Sequence, residues 1–253
     1  MATPRLGAVL IVLAIALLAG LFGTAVGRRY EFNVLCCDVP MARNVPLSLK
    51  ETLGLASYPS QIGQDKWITE TVFPGVNDGV FLDVGSGDGY TNSNTYVLEQ
   101  KGWTGICVDP LPTNVERRRC QMFREVVFSE AGRVMKFHAA GELAGLADTL
   151  DTWKPLAEKA PAMTFTTVTL GDILTRAGAP RYIHYMSLDI EGAELEALKG
   201  LPFDSYTFGA MTIEHNYEGR KRNDIQAFLE PRGYRRVRTW RHDDFYIRYP
   251  ATR

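Results

Sequence analysis

The chain has 253 residues, with Lys+Arg 28 against Asp+Glu 29 and a formal net charge of -1. Hydrophobic content of 45% and charged content of 23% are those of a globular protein, which excludes a wholly disordered, collagenous or coiled-coil chain. The balanced charge leaves no global positive field for a nucleic-acid backbone, and Cys 4 in this length excludes a disulfide-stapled miniprotein.

From Leu6 to Val26 no residue is charged. A helix of that length would span roughly 31 Å, about one hydrocarbon core. Arg5 precedes the run and Arg28-Arg29 follow it. Residues 1–27 therefore read as an uncleaved single-pass membrane anchor. The alternative is a signal peptide, with small residues at Gly23 and Ala25 and secretion after cleavage. The anchor is preferred because the run exceeds a typical signal-peptide core. Arg28, Arg29 and Arg43 favour a cytoplasmic C-terminal domain, whereas signal-anchor insertion would reverse it. Residues 28–58 read as tether and lead-in, with Pro40, Pro46 and no clear periodicity.

Beyond this point helix and strand signals alternate. Ser60 to Phe73 reads as a helix with Ser60 as N-cap and Ile62, Ile68 and Val72 inward. Val80 to Val84 is an apolar strand running into Gly85-Ser86-Gly87-Asp88-Gly89. Thr91 to Lys101 reads as a helix stopped at Gly102. Gly105 to Asp109 is a second buried strand, in which Cys107 reads as a core residue, and Val126 to Phe128 is a third. Ala139 to Met163 breaks the rhythm as a long insertion, the kind that forms lids and binding loops. Asp172 to Ala177 is a helix, Tyr182 to Leu188 a strand, and Glu191 to Lys199 a helix with acids first and Lys199 last. Phe208 to Ile213 is a strand, Ile225 to Leu229 marks a helix ending at Gly233, and Arg235 to Trp240 with Phe245 to Tyr249 forms a terminal hairpin. Arg235, Arg236 and Arg238 give this end a basic face, solvated or set against anionic lipid beside an anchor. Non-alternating strands between helices mean an α/β fold, a mostly parallel sheet covered on both faces.

The chemistry sits at strand ends. The turn reads Asp83-Val84-Gly85-Ser86-Gly87-Asp88-Gly89. Its glycines let backbone approach a ligand closely. A dinucleotide fingerprint would need glycine where Tyr90 stands, and the leading Asp83 would repel a pyrophosphate. Asp109 ends the next strand, where a carboxylate takes ribose hydroxyls. Two acids around a glycine turn describe a nucleoside with a cationic tail, and S-adenosylmethionine fits. Asp189, followed by Glu191 and Glu194, ends a later strand at the same edge, and Glu214-His215-Asn216 ends another. Asp189, Glu214 and His215 are candidates for the base that removes an acceptor proton. The same three could converge on a divalent cation, but no spaced metal motif is present and no metal is expected.

FLDVGSGDGYTNSNT, GWTGICVDP and LDIEGAE, preceded by Ser60-Gln61-x-Gly63-Gln64-Asp65, together resemble the FkbM-type methyltransferases. The resemblance covers about residues 58–248 and marks 59–253 as the methyltransferase domain. It implies a Rossmann-like class I methyltransferase fold, with a seven-stranded, mostly parallel sheet whose last strand is antiparallel. It implies S-adenosylmethionine as cofactor and O-methylation of a hydroxyl on a small molecule or glycan. By motif, Asp83, Gly85, Gly87 and Gly89 would line the methionine portion and Asp109 would hold the ribose. Phe128 and Ser129 would lie beside the adenine. Asn92 and Asn94 match the polar start of the following helix, with Asn94 taken as a ligand residue. Asp189 and Glu191 would face the methyl group and acceptor, with His215 as a further catalytic candidate. The alternative function is a membrane-anchored binding or trafficking module that reuses the fold. Neither acceptor nor oligomeric state is legible.

Overall fold

A computed structural model describes residues 58–150 and 152–249. The expected anchor or signal peptide and nearly all of the tether lie outside the described residues. Among the described residues no helix is long and apolar enough to cross a membrane.

In chain order the elements are α1 (Gln64–Lys66), β1 (Val80–Val84), α2 (Tyr96–Gln100), β2 (Thr104–Val108), β3 (Gln121–Phe123), β4 (Val126–Val127), β5 (Val134–His138), β6 (Gly145–Leu146), α3 (Lys154–Ala157), β7 (Ala162–Val168), α4 (Leu170–Arg176), β8 (Tyr182–Leu188), α5 (Glu194–Lys199), β9 (Thr207–Glu214), α6 (Gly219–Leu229), β10 (Tyr234–Trp240) and β11 (Asp243–Arg248). Seven strands form one sheet in the order β10-β11-β9-β8-β1-β2-β3. β1, β2, β3, β8 and β9 are parallel, and β11 runs against both its neighbours. This mostly parallel sheet is consistent with a Rossmann-like fold. Both faces are apolar. Leu82, Val84, Met186 and Leu188 face one core, while Phe81, Cys107 and Tyr185 face a second with Trp67, Leu98 and Trp103. Each such side chain contributes roughly 1.5–3 kcal/mol by burial, which explains why the strands carry no polar alternation.

Several expectations shift. The third strand of the main sheet is β3, not Val126 to Phe128. Cys107 pairs in register with Met122, and a disulfide joins Cys107 to Cys120, so the segment after β2 is drawn back onto the sheet. Cys107 is thus a half-cystine rather than a plain core thiol. β4 belongs to a second sheet in the order β4-β7-β5-β6. The insertion supplies β6 and α3 and opens β7, and is therefore structured. The last strand of the chain, β11, is antiparallel as expected, but it does not form the edge of the sheet. β11 is almost wholly buried and slots between β9 and β10, leaving the arginine-rich β10 exposed as the edge. Charge on an edge strand blocks further pairing, which gives the basic run a structural role. Arg222 and Arg236 both reach Asp244, at 2.8 Å each.

Helix starts also move. The first helix begins at Gln64 after Gly63 in the left-handed region and continues as a wide turn over Trp67–Val72. Ser60 caps nothing helical. Its hydroxyl accepts from Gly63 N–H at 3.1 Å and donates to the Asp65 carboxylate, and this closes the turn before the helix. The helix expected from Thr91 begins only at Tyr96, because Asn92 is left-handed with φ 58. The helix expected from Glu191 begins at Glu194, because Glu191 has φ 55 and Gly192 φ 118.

Candidate active site

The chain leaves β1 toward β2 and β3 on one side, then returns through β8 and β9 on the other. The neighbours β1 and β8 thus form the switch point of the sheet, and a crevice opens beyond their carboxyl ends. A cavity of about 480 Å³ occupies this place. Asp83 and the glycine turn end β1, Asp109 follows β2, Asp189 follows β8 and Glu214 ends β9, so four strand ends present acids to one cavity. Phe137, Ala139, Gly141, Glu142 and Ala144 close it from the second sheet, and Gln61 and Gln64 from the lead-in. Glu142 accepts from Asn92 Nδ2 at 2.9 Å, which fastens that roof to the loop after the glycine turn.

The glycine turn is shaped by close contacts. Gly85 N–H donates to Val108 O at 2.8 Å, and Asp189 N–H donates to Val84 O at 3.0 Å, so the turns after β1 and β8 touch. Gly85 has φ +88, and a Cβ there would stand 1.7 Å from Asp189 O. Gly87 lines the cavity and donates its N–H to Asp109 Oδ2 at 2.9 Å, while Leu111 N–H donates to Asp109 Oδ1 at 2.8 Å. Each Asp109 oxygen keeps lone pairs for a ligand hydroxyl. Burial pushes this carboxyl up, and its two backbone donors pull it back.

Asp83 lines the cavity but is also an internal tie. It accepts from Thr95 Oγ1 and lies 3.6 Å from Arg118 Nη1. Arg118 Nε reaches Glu99 Oε1 at 3.2 Å, its Nη2 donates to Thr95 Oγ1 at 2.7 Å, and its Nη1 donates to Gly89 O at 3.1 Å. One guanidinium thereby joins β1, α2, the glycine turn and the segment before β3. Burial raises the Asp83 carboxyl and the Arg118 charge opposes the rise. Gly89 does not line the cavity; its missing side chain is the space filled by Arg118. Nothing in the order of residues marks Arg118 out from Arg117 and Arg119.

At the other wall stand Asp189, Glu191 and Glu214, each able to offer an oxygen within 4.8 Å of the others. Asn216 Nδ2 donates to Glu191 Oε2 and to Glu214 Oε2, both at 2.9 Å. Burial pushes the Asp189 carboxyl up to about 6, and Glu214 hydrogen-bonds to it. Burial raises Glu214 well above its ordinary value, and repulsion from Asp189 and Glu191 adds to this. Glu194, expected only to complement the helix dipole, is fully buried. It accepts from Ile190 N–H at 2.9 Å and Gly192 N–H at 3.2 Å, holding the loop that presents Asp189 and Glu191.

Not every expected residue reaches the cavity. His215 is buried outside it. Its Nδ1 accepts from Tyr217 N–H at 3.0 Å and its Nε2 lies 3.8 Å from Asp244 Oδ1. Burial lowers its pKa against the pull of Asp244, which favours the neutral ring. Phe128 packs in the core of the second sheet, and Ser129 Oγ donates to Glu196 Oε2 at 2.7 Å. The small apolar recess beside Asp109 is lined instead by Pro110, Glu125, Val126, Val127, Phe137 and Ile190. Asn94 does line the main cavity.

Asp243 was not foreseen. It accepts from Gln64 Nε2 at 2.9 Å, which pins the lead-in to β11. Burial pushes its carboxyl up to about 8, with repulsion from Asp189 and Glu194 adding to the effect. A carboxyl whose pKa rises on folding stabilises the fold while protonated, so stability should fall as pH climbs from about 4 toward 8. Asp243→Asn should flatten that slope and raise stability at pH 8 by on the order of 3 kcal/mol. Thermal melts of both proteins at pH 6 and pH 8 would check this, and parallel profiles would refute it.

The model of a family described as the Methyltransferase FkbM domain matches residues 83–236. The match begins at Asp83 and includes Asp109, Asp189, Glu191 and Glu214. No curated protein matches the chain.

Proposed function

Because the chain belongs to the FkbM methyltransferase family, we propose that it uses S-adenosylmethionine to methylate a hydroxyl on a small molecule or glycan. The observation that carries the cofactor assignment is the charge of the cavity. Its charged lining consists of Asp83, Asp88, Asp109, Glu142, Asp189, Glu191 and Glu214, with no Lys or Arg. Such walls repel pyrophosphate and attract a cationic nucleoside, which counts against a nicotinamide dinucleotide or a nucleotide sugar. Gly87 supports the fit, since no atom stands within 4 Å of its missing Cβ and the turn leaves room for a ligand against the backbone.

The bound cofactor would supply an electrophilic methyl group on a sulfonium. The chain's own share is positioning and proton removal. Asp109, preset by Gly87 and Leu111, accepts the ribose hydroxyls. The touching turns at Gly85 and Asp189 bring the cofactor wall against the acceptor wall. The Asp189–Glu214 carboxylate pair takes the acceptor proton, and the roof from Phe137 to Ala144 excludes water. The apolar run at residues 6–26 supports a single-pass membrane anchor. The Cys107–Cys120 disulfide supports a domain that faces an oxidising compartment.

Calorimetric titration of S-adenosylmethionine into the full-length chain tests this reading. Binding is expected, weakened at least about tenfold in Asp109→Ala, since hydrogen bonds to a charged group contribute roughly 1.5–3 kcal/mol. Equal affinity in a folded variant would reject the ribose assignment.

A further inference from the structure

We propose that one face of the β10–β11 hairpin, carrying Arg235, Arg238, Trp240 and Tyr249, docks on a bilayer that contains anionic lipid. Residues paired across neighbouring strands point to the same side of a sheet. Arg235 stands opposite Ile247, Arg238 opposite Phe245 and Trp240 opposite Asp243, and these three partners alternate along β11. Phe245 and Ile247 pack in the core of Trp67, Leu98 and Trp103, so Arg235, Arg238 and Trp240 share that side of the sheet. Arg236 stands opposite Tyr246 and faces the other core. A bulge makes this division. Val237 has no partner of its own, and the register shifts between Arg236 and Arg238. Without the extra residue, Arg238 and Trp240 would follow Arg236 to the other side. Bulges re-aim side chains in this way.

The two sides differ in charge balance. Arg236 and Arg222 converge on the buried Asp244. Arg235 and Arg238 have no ion pair among the described residues. Each lies instead over an aromatic ring, Arg235 at 3.6 Å from the centre of Tyr249 and Arg238 at 5.2 Å from Trp240. Trp240 is 46% exposed and Tyr249 39%. Blocking of edge pairing accounts for charge on β10, but not for two rings left in water on one face. Uncompensated guanidinium groups bind lipid phosphate and carboxylate, and indole and phenol rings settle at the headgroup level.

The lead-in packs on the same side. The Trp67 and Phe245 rings meet at 4.9 Å, and Gln64 bonds Asp243. In sequence these residues follow the apolar run at 6–26. An anchor in that run would keep the domain beside a bilayer, and the arginine face would then select the side that meets it. Lipid contact here needs neither cofactor nor acceptor.

The experiment is tryptophan quenching of the full-length chain in vesicles of brominated phosphatidylcholine, with or without about 30% phosphatidylserine. None of the four Trp precedes residue 67, so an inserted apolar run adds no signal. Quenching is expected in the anionic vesicles, and it should disappear in Trp240→Phe and at about 1 M salt, where the Debye length is roughly 3 Å. Two cations at an anionic surface shift docking by roughly thirtyfold, so Arg235→Gln combined with Arg238→Gln should abolish the quenching. Lys136→Gln, an exposed charge removed from β5, should leave it intact. No quenching in anionic vesicles, equal quenching in neutral ones, or quenching retained by a double variant that melts cooperatively would overturn the proposal. Quenching that survives Trp240→Phe would put another face on the bilayer and overturn it as well. A single-stranded oligonucleotide bound through the same residues, without quenching in anionic vesicles, would overturn it in favour of a nucleic-acid partner. Flotation with neutral vesicles reports the anchor separately, and S-adenosylmethionine binding should be the same in the parent and the double variant.

Discussion

Arg118→Ala should cost about 3–5 kcal/mol of stability, one of the two largest losses expected from a single substitution in this domain. The side chains of Arg118, Asp83 and Glu99 are 1%, 5% and 1% exposed. Removing the guanidinium leaves two carboxylates buried without their cation, and each then bears its desolvation cost alone. The effect spreads because Arg118 also holds Gly89 O and Thr95 Oγ1. Denaturant unfolding would measure the loss, and a change under about 1 kcal/mol would show that the network is dispensable. Arg118→Lys should recover little, since one ammonium cannot reach Glu99, Thr95, Gly89 and Asp83 together.

The second large effect is expected at Gly85. Gly85→Ala places a methyl group 1.7 Å from Asp189 O on a residue with φ +88. Left-handed backbone alone costs an alanine roughly 1–2 kcal/mol. The clash must also push the turns after β1 and β8 apart, so a total of about 3 kcal/mol or more is expected, with loss of cofactor binding. Gly87→Ala is the matched comparison. Its φ is +57 but its added Cβ meets no atom within 4 Å. That variant should lose only the conformational share of roughly 1–2 kcal/mol and keep a cooperative melt. Similar melting temperatures for the two variants would refute the role assigned to the Gly85–Asp189 contact.

Much of the sheet was legible. Val80 to Val84 and Tyr182 to Leu188 are apolar runs bounded by turn residues, and the structure has strands with those limits. The acids at their ends were legible for the same reason, since a polar residue closing a buried strand must lie at the sheet's edge. The helix starts were less so. Asn92, Glu191 and Gly192 look compatible with helix, yet each adopts positive φ because the cavity wall turns there. The insertion reads as a lid or binding loop without assigned elements, and the structure places β6, α3 and the start of β7 in it. Val134–His138 buries Met135, Phe137 and His138 while Val134 and Lys136 stay exposed, a short alternation that the flanking polar residues hide.

The sequence by itself determined the α/β alternation, the glycine turn, and Asp83, Asp109 and Asp189 at strand ends. These follow from local properties, namely apolar run length and the conformational freedom of glycine. Tertiary structure alone decided which of the arginines at 117–119 is buried, that Cys107 meets Cys120, and that β11 lies inside β10. It also decided that Glu191 and Glu214 gather with Asp189 while His215 turns to Tyr217 and Asp244. Those outcomes depend on groups distant in the chain competing for one enclosed volume. Desolvation there selects the few polar contacts that satisfy every buried charge, and spacing along the chain carries no record of that selection.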